Sequence, residues 1–267
     1  MSLARWLTPL QQIPVQMRDG RRLFLDLREP MCMPYLLAGE IWEEAGETHF
    51  MRHFVRSGDS TIDVGANVGW YTTLLAEAVG PSGFVSALEP NPAAYRLLTL
   101  TTRRYPQVVT IAAAAGDREG EEELHIPRDA GMASLAAHPD ARKRVRCRKV
   151  TLDSIWTEAG SPAVTLLKCD AEGAERDILA GATQCLSAKL PPVLLLELGP
   201  LSWELWGYRP EELVQWLHAR FPGTYCGYRL HSKTGRLEPL PEPMTFRFDA
   251  AFVPRWATGR LANYIGI

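Results

Sequence analysis

Cysteine is scarce and scattered in this 267-residue chain: five residues, Cys32, Cys147, Cys169, Cys185 and Cys226. None belongs to a Cys-x-x-Cys pair or a Cys/His cluster. That argues against a disulfide framework and a structural zinc site, and leaves most of them as small buried hydrophobes. Charge of one sign is also lacking. The 29 Lys and Arg against 31 Asp and Glu leave a net charge of −2, so nucleic acid and anionic membrane are not expected partners. No apolar run approaches the ~20 residues of a membrane span. The opening MSLARWLTPLQQIPV has no continuous apolar core or small-residue cleavage site, so a signal peptide is not expected and a cytoplasmic location is. The histidines, His49, His53, His125, His138, His218 and His231, form no metal-binding spacing. His138 alone lies where an acid/base group would be worth watching.

What is present is an ordinary globular composition, 46% hydrophobic and 22% charged, with length for one large α/β domain. Residues 1–57 read as an N-terminal extension. VQMRDGRRLFLDL alternates around Asp19-Gly20, a hairpin signal, and residues 47–55 read as a helix. From residue 58 strands and helices alternate. STIDV, GFVSALE, VVTIAAAA, AVTLLKCD and VLLLEL read as strands of a mostly parallel sheet, and TYCGYRL and MTFRFDAAFVP complete it with an antiparallel strand. Residues 117–162 read as an insertion. It holds a loop, GMASLAAHPD, and an exposed strand, RKRVRCRKVTL, whose charges alternate as on a solvated face. The expected fold is doubly wound α/β.

The turn after the first core strand is Asp63-Val64-Gly65-Ala66-Asn67-Val68-Gly69. A dinucleotide turn has glycine where Asn67 stands, and Asp63 would repel a pyrophosphate. A carboxylate suits a cofactor bearing an ammonium and a sulfonium, and S-adenosylmethionine carries both. Gly65 and Gly69 would admit its methionine portion beside Ala66 and Asn67, with the helix N-terminus near its carboxylate. The next strand ends in Glu89-Pro90, where the acid can accept both ribose hydroxyls. Gly116 and Asp117, after the third strand, fall where adenine would lie.

In LLKCDAEGAERDIL, Lys168 and Asp170 share one side of the fourth strand at the crevice end. Asp170 is the first candidate for general base and a neighbour of the cofactor, with Lys168 as a base or partner that shifts its pKa. Glu172 and Glu175 fall in the first turn of the next helix, where acids favour the helix dipole. Glu197 ends the fifth strand and could share a divalent metal with Asp170. With no third ligand in view, no metal site is assigned. Tyr71 reads as core rather than cofactor wall, and Ser134 lies in the insertion that would cover an acceptor.

DVGANVGWYT, LEPNP, TLDSI and KCDAEGAERDILAGA together resemble the FkbM family of S-adenosylmethionine-dependent methyltransferases, from about Gly58 to Pro200 and more weakly beyond. The resemblance implies a Rossmann-like class I methyltransferase fold and O-methylation of a small molecule such as a sugar, polyketide or other secondary metabolite. N-methylation of a peptide is the alternative within the family, and an NAD-dependent oxidoreductase or a non-catalytic cofactor-binding protein the alternatives outside it. A homo-oligomer is compatible with all of these.

Overall fold

The computed structural model describes residues 10–39, 45–199, 204–262 and 264. The first nine residues of the opening peptide lie outside them. Strands β1 (Ile13–Gln16) and β2 (Arg22–Leu25) pair antiparallel about the Asp19-Gly20 turn. Helices α1 (Met33–Ala38) and α2 (Ala45–Phe54) follow. The core alternation then begins: β3 (Ser60–Val64), α3 (Trp70–Val79), β4 (Phe84–Leu88), α4 (Pro92–Thr102) and β5 (Val108–Ile111). Pro92 sits in the first turn of α4, where its missing N–H is harmless, and Asn91 caps that helix by accepting from the Ala93 N–H.

The segment read as VVTIAAAA is not one strand. β5 stops at Ile111, and β6 (Ala114–Ala115) joins a separate three-stranded sheet with β7 (Gly120–Ile126) and β8 (Lys143–Val150). The insertion is therefore more ordered than its sequence pattern suggests. β7 and β8 form an antiparallel pair in which Glu121 faces Arg148 and Glu123 faces Arg146. Arg146 bridges to Glu121, Arg144 to Glu123 and Lys149 to Glu122, so part of the basic run is matched within the chain. α5 (Leu152–Glu158) and β9 (Val164–Cys169) come next.

The helix expected after β9 is broken into α6 (Glu175–Ala180) and α7 (Thr183–Leu186). The break falls at Gly181, where a Cβ would lie 2.0 Å from the Gly116 carbonyl oxygen, so only glycine lets the chain pass this close to the turn after β6. β10 (Val193–Leu198), α8 (Pro210–Arg220), β11 (Tyr225–Leu230), β12 (Leu237–Pro239) and β13 (Phe248–Pro254) complete the described elements.

The main sheet has eight strands in the order β12-β11-β13-β10-β9-β3-β4-β5. β5, β4, β3, β9 and β10 run parallel, and β13 is antiparallel to both β10 and β11. The short β12, antiparallel to β11, is one antiparallel strand more than the sequence pattern indicates.

Period-two alternation assigns each strand to both layers. Leu194, Leu196 and Leu198 of β10 pack with Ile178, Leu179, Leu213 and Leu217 on one face. Val193 and Leu195 pack with Leu74, Leu75, Phe50 and the hairpin's Leu23 and Leu25 on the other. Each such leucine contributes ~1.5–3 kcal/mol. Cys32, Cys147, Cys169 and Cys185 are buried free thiols, and Cys226 is exposed.

Candidate active site

The strand order reverses direction between β3 and β9, and the crevice lies there, at the carboxyl ends of the parallel strands. The turn after β3 is held from both sides. Gly65 and Ala66 donate their N–H groups to the Leu88 carbonyl at 3.1 and 3.0 Å, and the Asp170 N–H donates to the Val64 carbonyl at 3.1 Å. Gly65 has φ +79°, and a Cβ there would meet the Asp170 carbonyl oxygen at 1.8 Å, so β3 and β9 can close only over glycine. Asn67 also takes the left-handed conformation, at φ 49°, which asparagine tolerates better than most residues.

Glu89 closes one end. Its carboxylate accepts from the Asn67 and Asn91 N–H groups, both at 2.8 Å. Burial raises its pKa to about 7, and those two hydrogen bonds act in the opposite sense. At the other end Lys168, 2% exposed, lies 3.2 Å from Asp170 and 4.5 Å above the Tyr71 ring. Burial opposes ionisation of Asp170, but the Lys168 ammonium and its hydrogen bond, with Arg247, outweigh that and hold it below its ordinary value. The Asp170 side chain is still about one-third exposed, at 31%. Glu197 is ion-paired with Arg247, and its pKa is raised by burial and then by the Asp170 carboxylate.

A cleft of about 230 Å³ runs between these ends, lined by Gly65, Ala66, Asn67, Glu89, Pro90, Lys168 and Asp170. Its other walls include Tyr35, Trp70, Tyr71, Ala113 to Ala115, Arg247 and the insertion's Asp129 to Ala133 and Leu135. The insertion thus covers the crevice.

Four residues expected at the cofactor do not line the cleft. Asp63 is wholly buried beneath it, accepting from the Thr72 hydroxyl at 2.6 Å. Burial raises its pKa, and Lys168 opposes this. Gly69 caps α3 and faces Leu98 and Thr101 of α4 at 3.1 Å, a helix-packing position. Gly116 packs on Lys149, and exposed Asp117 pairs with Lys149 and Arg118. The adjacent alanines, Ala113 to Ala115, are the ones that reach the crevice.

Glu175 is spent on structure. It accepts from the Ala171 and Gly173 N–H groups and from the Tyr208 hydroxyl, which fixes the loop after β9. Ser134 ties the insertion to that loop by donating to the Glu172 carbonyl at 3.3 Å. His138 accepts from the Asp140 N–H in a local turn and does not line the cleft.

Sequence reasoning missed Trp70, Tyr35 and Arg247, and read Tyr71 as core. The Tyr35 and Trp70 rings lie 5.4 Å apart, tilted by 56°, and only the fold brings them together. Asp170, Glu172 and Glu197 also each offer an oxygen within 4.8 Å of the others, a third carboxylate that the spacing of the first two does not reveal.

A second cavity of about 370 Å³ shares Asp170 and Arg247 with the cleft and extends past Glu47, Glu197, Arg229, Phe246 and Asp249.

An open α/β sheet with a glycine turn at its switch point, an acid at the end of the next strand and a cover over the crevice is a Rossmann-like arrangement with its crevice where such folds bind ligands. A family model described as the Methyltransferase FkbM domain matches residues 63–230. The chain belongs to the FkbM methyltransferase family.

Over 166 residues it is 29% identical to 31-O-demethyl-FK506 methyltransferase FkbM of Streptomyces tacrolimicus, covering 49% of this chain and 63% of that protein. Over 172 residues it is 28% identical to AMB antimetabolite synthetase AmbE of Pseudomonas aeruginosa, covering 50% of this chain and 8% of that one. The chain therefore matches less than two thirds of the first relative and a small part of the second.

Among solved structures, M. jannaschii TYW2 in complex with AdoMet is similar at 14% identity and TM-score 0.48, over 87% of this chain and 81% of that one. A SAM dependent methyltransferase from Aquifex aeolicus is similar at 12% identity and TM-score 0.45, over 85% and 94%. Overlaps this loose carry no information on substrate.

No helix among the described residues is long and apolar enough to cross a membrane.

Proposed function

We propose that the chain methylates a hydroxyl oxygen of a small molecule, with Asp170 as general base. The observation that carries this is the position of Asp170. It is held below its ordinary pKa by Lys168 against the pull of burial, is partly exposed, and stands where the cofactor cleft meets the second cavity.

The cleft fits S-adenosylmethionine. Glu89 has lone pairs beyond those used by Asn67 and Asn91 and would accept the ribose hydroxyls. The small side chains of Ala113 to Ala115 leave a flat apolar wall for adenine. Trp70 lines the cleft with its Nε1 unpartnered among the described residues, at the end where Gly65 to Asn67 would hold the methionine portion. When bound, the cofactor supplies a methyl group on a positively charged sulfur, which keeps the electron pair as its bond to carbon breaks.

An alcohol attacks well only if its proton leaves as the new oxygen–carbon bond forms, and Asp170 would take that proton. Lys168 fixes the Asp170 carboxylate and keeps it ionised. The insertion lines one side of the cleft, and the work left to the protein is alignment of donor and acceptor. Family membership leaves the dinucleotide alternative without support.

The test is turnover to S-adenosylhomocysteine across a panel of hydroxylated acceptors, with the methylated atom located by mass spectrometry. Product O-methylated by the wild type and lost in Asp170→Asn supports the proposal. Methylation confined to nitrogen contradicts it.

A further inference from the structure

The second cavity shares Asp170 and Arg247 with the cleft and extends away from Glu89 and the glycine turn. Its wall is a row of acids built by strand register. Leu196 of β10 faces Cys169 of β9, so the next residues, Glu197 and Asp170, are neighbours, and Glu197 in turn faces Asp249 of β13. Directly opposed residues on adjacent strands share a face of the sheet, so the three carboxyl groups form one rail leading away from the crevice. Glu47 of α2 lines the same cavity, and exposed Phe246 and buried Phe248 supply apolar surface beside it.

The charges along this rail are unevenly matched. Asp170 has Lys168, Glu197 has Arg247, Glu47 accepts from the Tyr71 hydroxyl, and Arg229 is committed to Glu238. The Asp249 carboxylate makes no hydrogen bond or ion pair with any described residue. We propose that this cavity is the acceptor site, and that the acceptor carries a cationic nitrogen seated against Asp249 and Glu47 while its hydroxyl reaches Asp170. This rests on the proposed methyl transfer at Asp170.

The surroundings of Asp249 support it. Burial raises its pKa well above the ordinary value, the Glu47 and Asp170 carboxylates add to the rise, and Lys168 and Arg247 only partly oppose them. An ammonium group would supply both the missing donors and the missing charge. An acceptor bearing a carboxylate at that position would meet like charge instead, so the same wall selects against it.

The experiment uses the whole chain labelled with ¹³C at aspartate carboxyls, free and saturated with S-adenosylhomocysteine. The matched probes are ethanolamine and ethylene glycol, which differ only in amine against hydroxyl. The Asp249 signal is assigned by its absence in Asp249→Asn. The expected result is a saturable shift of that signal toward its ionised position with ethanolamine and none with ethylene glycol. An equal shift with both, or none with ethanolamine, overturns the proposal.

A kinetic arm compares amino-alcohol acceptors with the corresponding diols. Asp249→Asn is expected to raise KM for the amino alcohols about tenfold and to lower kcat much less, and Asp249→Glu to restore part of the loss. Equal effects on both acceptor classes would also overturn it. Failure of S-adenosylhomocysteine to bind counts against the cofactor site instead, because the probe titration on free protein stands apart from it.

Discussion

With Glu89 as the proposed acceptor of the ribose hydroxyls, cofactor binding should depend on pH in one direction. Burial raises its pKa from 4.5 to about 7, so the free protein holds it half protonated near neutrality. Two ribose hydroxyls are donors and favour the carboxylate. A ligand that binds only the ionised form loses affinity by the fraction ionised, which for a pKa of about 7 changes about tenfold between pH 6 and pH 8. Stability moves the other way. A group whose pKa is raised on folding stabilises fully below its unfolded value, and that contribution is lost as pH rises through the folded value. For Glu89 the loss amounts to about 3 kcal/mol between pH 4.5 and pH 8.

Glu175, also raised to about 7 by burial, adds to the same fall in stability but does not line the cleft's ribose end. Calorimetric titration with S-adenosylhomocysteine at pH 6, 7 and 8 should show affinity rising about tenfold, while thermal unfolding of the free protein shifts to lower temperature. Glu89→Gln cannot ionise. It should bind more weakly, with affinity flat across that range, yet keep the part of the stability change that belongs to Glu175. Constant wild-type affinity, or a pH dependence that survives in Glu89→Gln, refutes the role given to Glu89.

Asp170→Asn should lower kcat by about 10²–10⁴-fold and leave S-adenosylhomocysteine affinity within a few-fold, as measured by single-turnover kinetics and calorimetry. Gly65→Ala should abolish cofactor binding and lower the unfolding temperature, because its Cβ would overlap the Asp170 carbonyl oxygen; binding by a stable Gly65→Ala protein would contradict the closure of β3 on β9. Leu195→Ala, fully within the core, should cost about 2–5 kcal/mol in denaturant unfolding, with the cofactor's affinity little changed in the folded fraction.

The central architecture was legible because the residues that build it are contiguous. STIDV, LLKC and VLLLEL are short apolar runs that end at Asp63, Asp170 and Glu197, and each is a parallel strand in the structure. β7 escaped notice because GEEELHI is rich in acids and poor in strand formers. What makes it a strand is the basic β8 opposite, a long-range match that no local pattern shows.

At the site, strand ends were readable and side-chain directions were not. Asp63 and Gly69 lie in the turn motif, yet one points beneath the cleft and the other into α4. The second cavity was invisible for a different reason. Glu47, Arg229, Phe246 and Asp249 come from opposite ends of the chain and meet only once β13 is inserted between β10 and β11.

A crystal structure of the protein with S-adenosylhomocysteine bound tests the central claim most directly. The account predicts the ribose hydroxyls within about 3 Å of the Glu89 carboxylate, adenine against Ala113 to Ala115, and the sulfur turned toward Asp170 and the second cavity. A ligand bound elsewhere, or lying in the cleft with its sulfur turned away from Asp170, would contradict it.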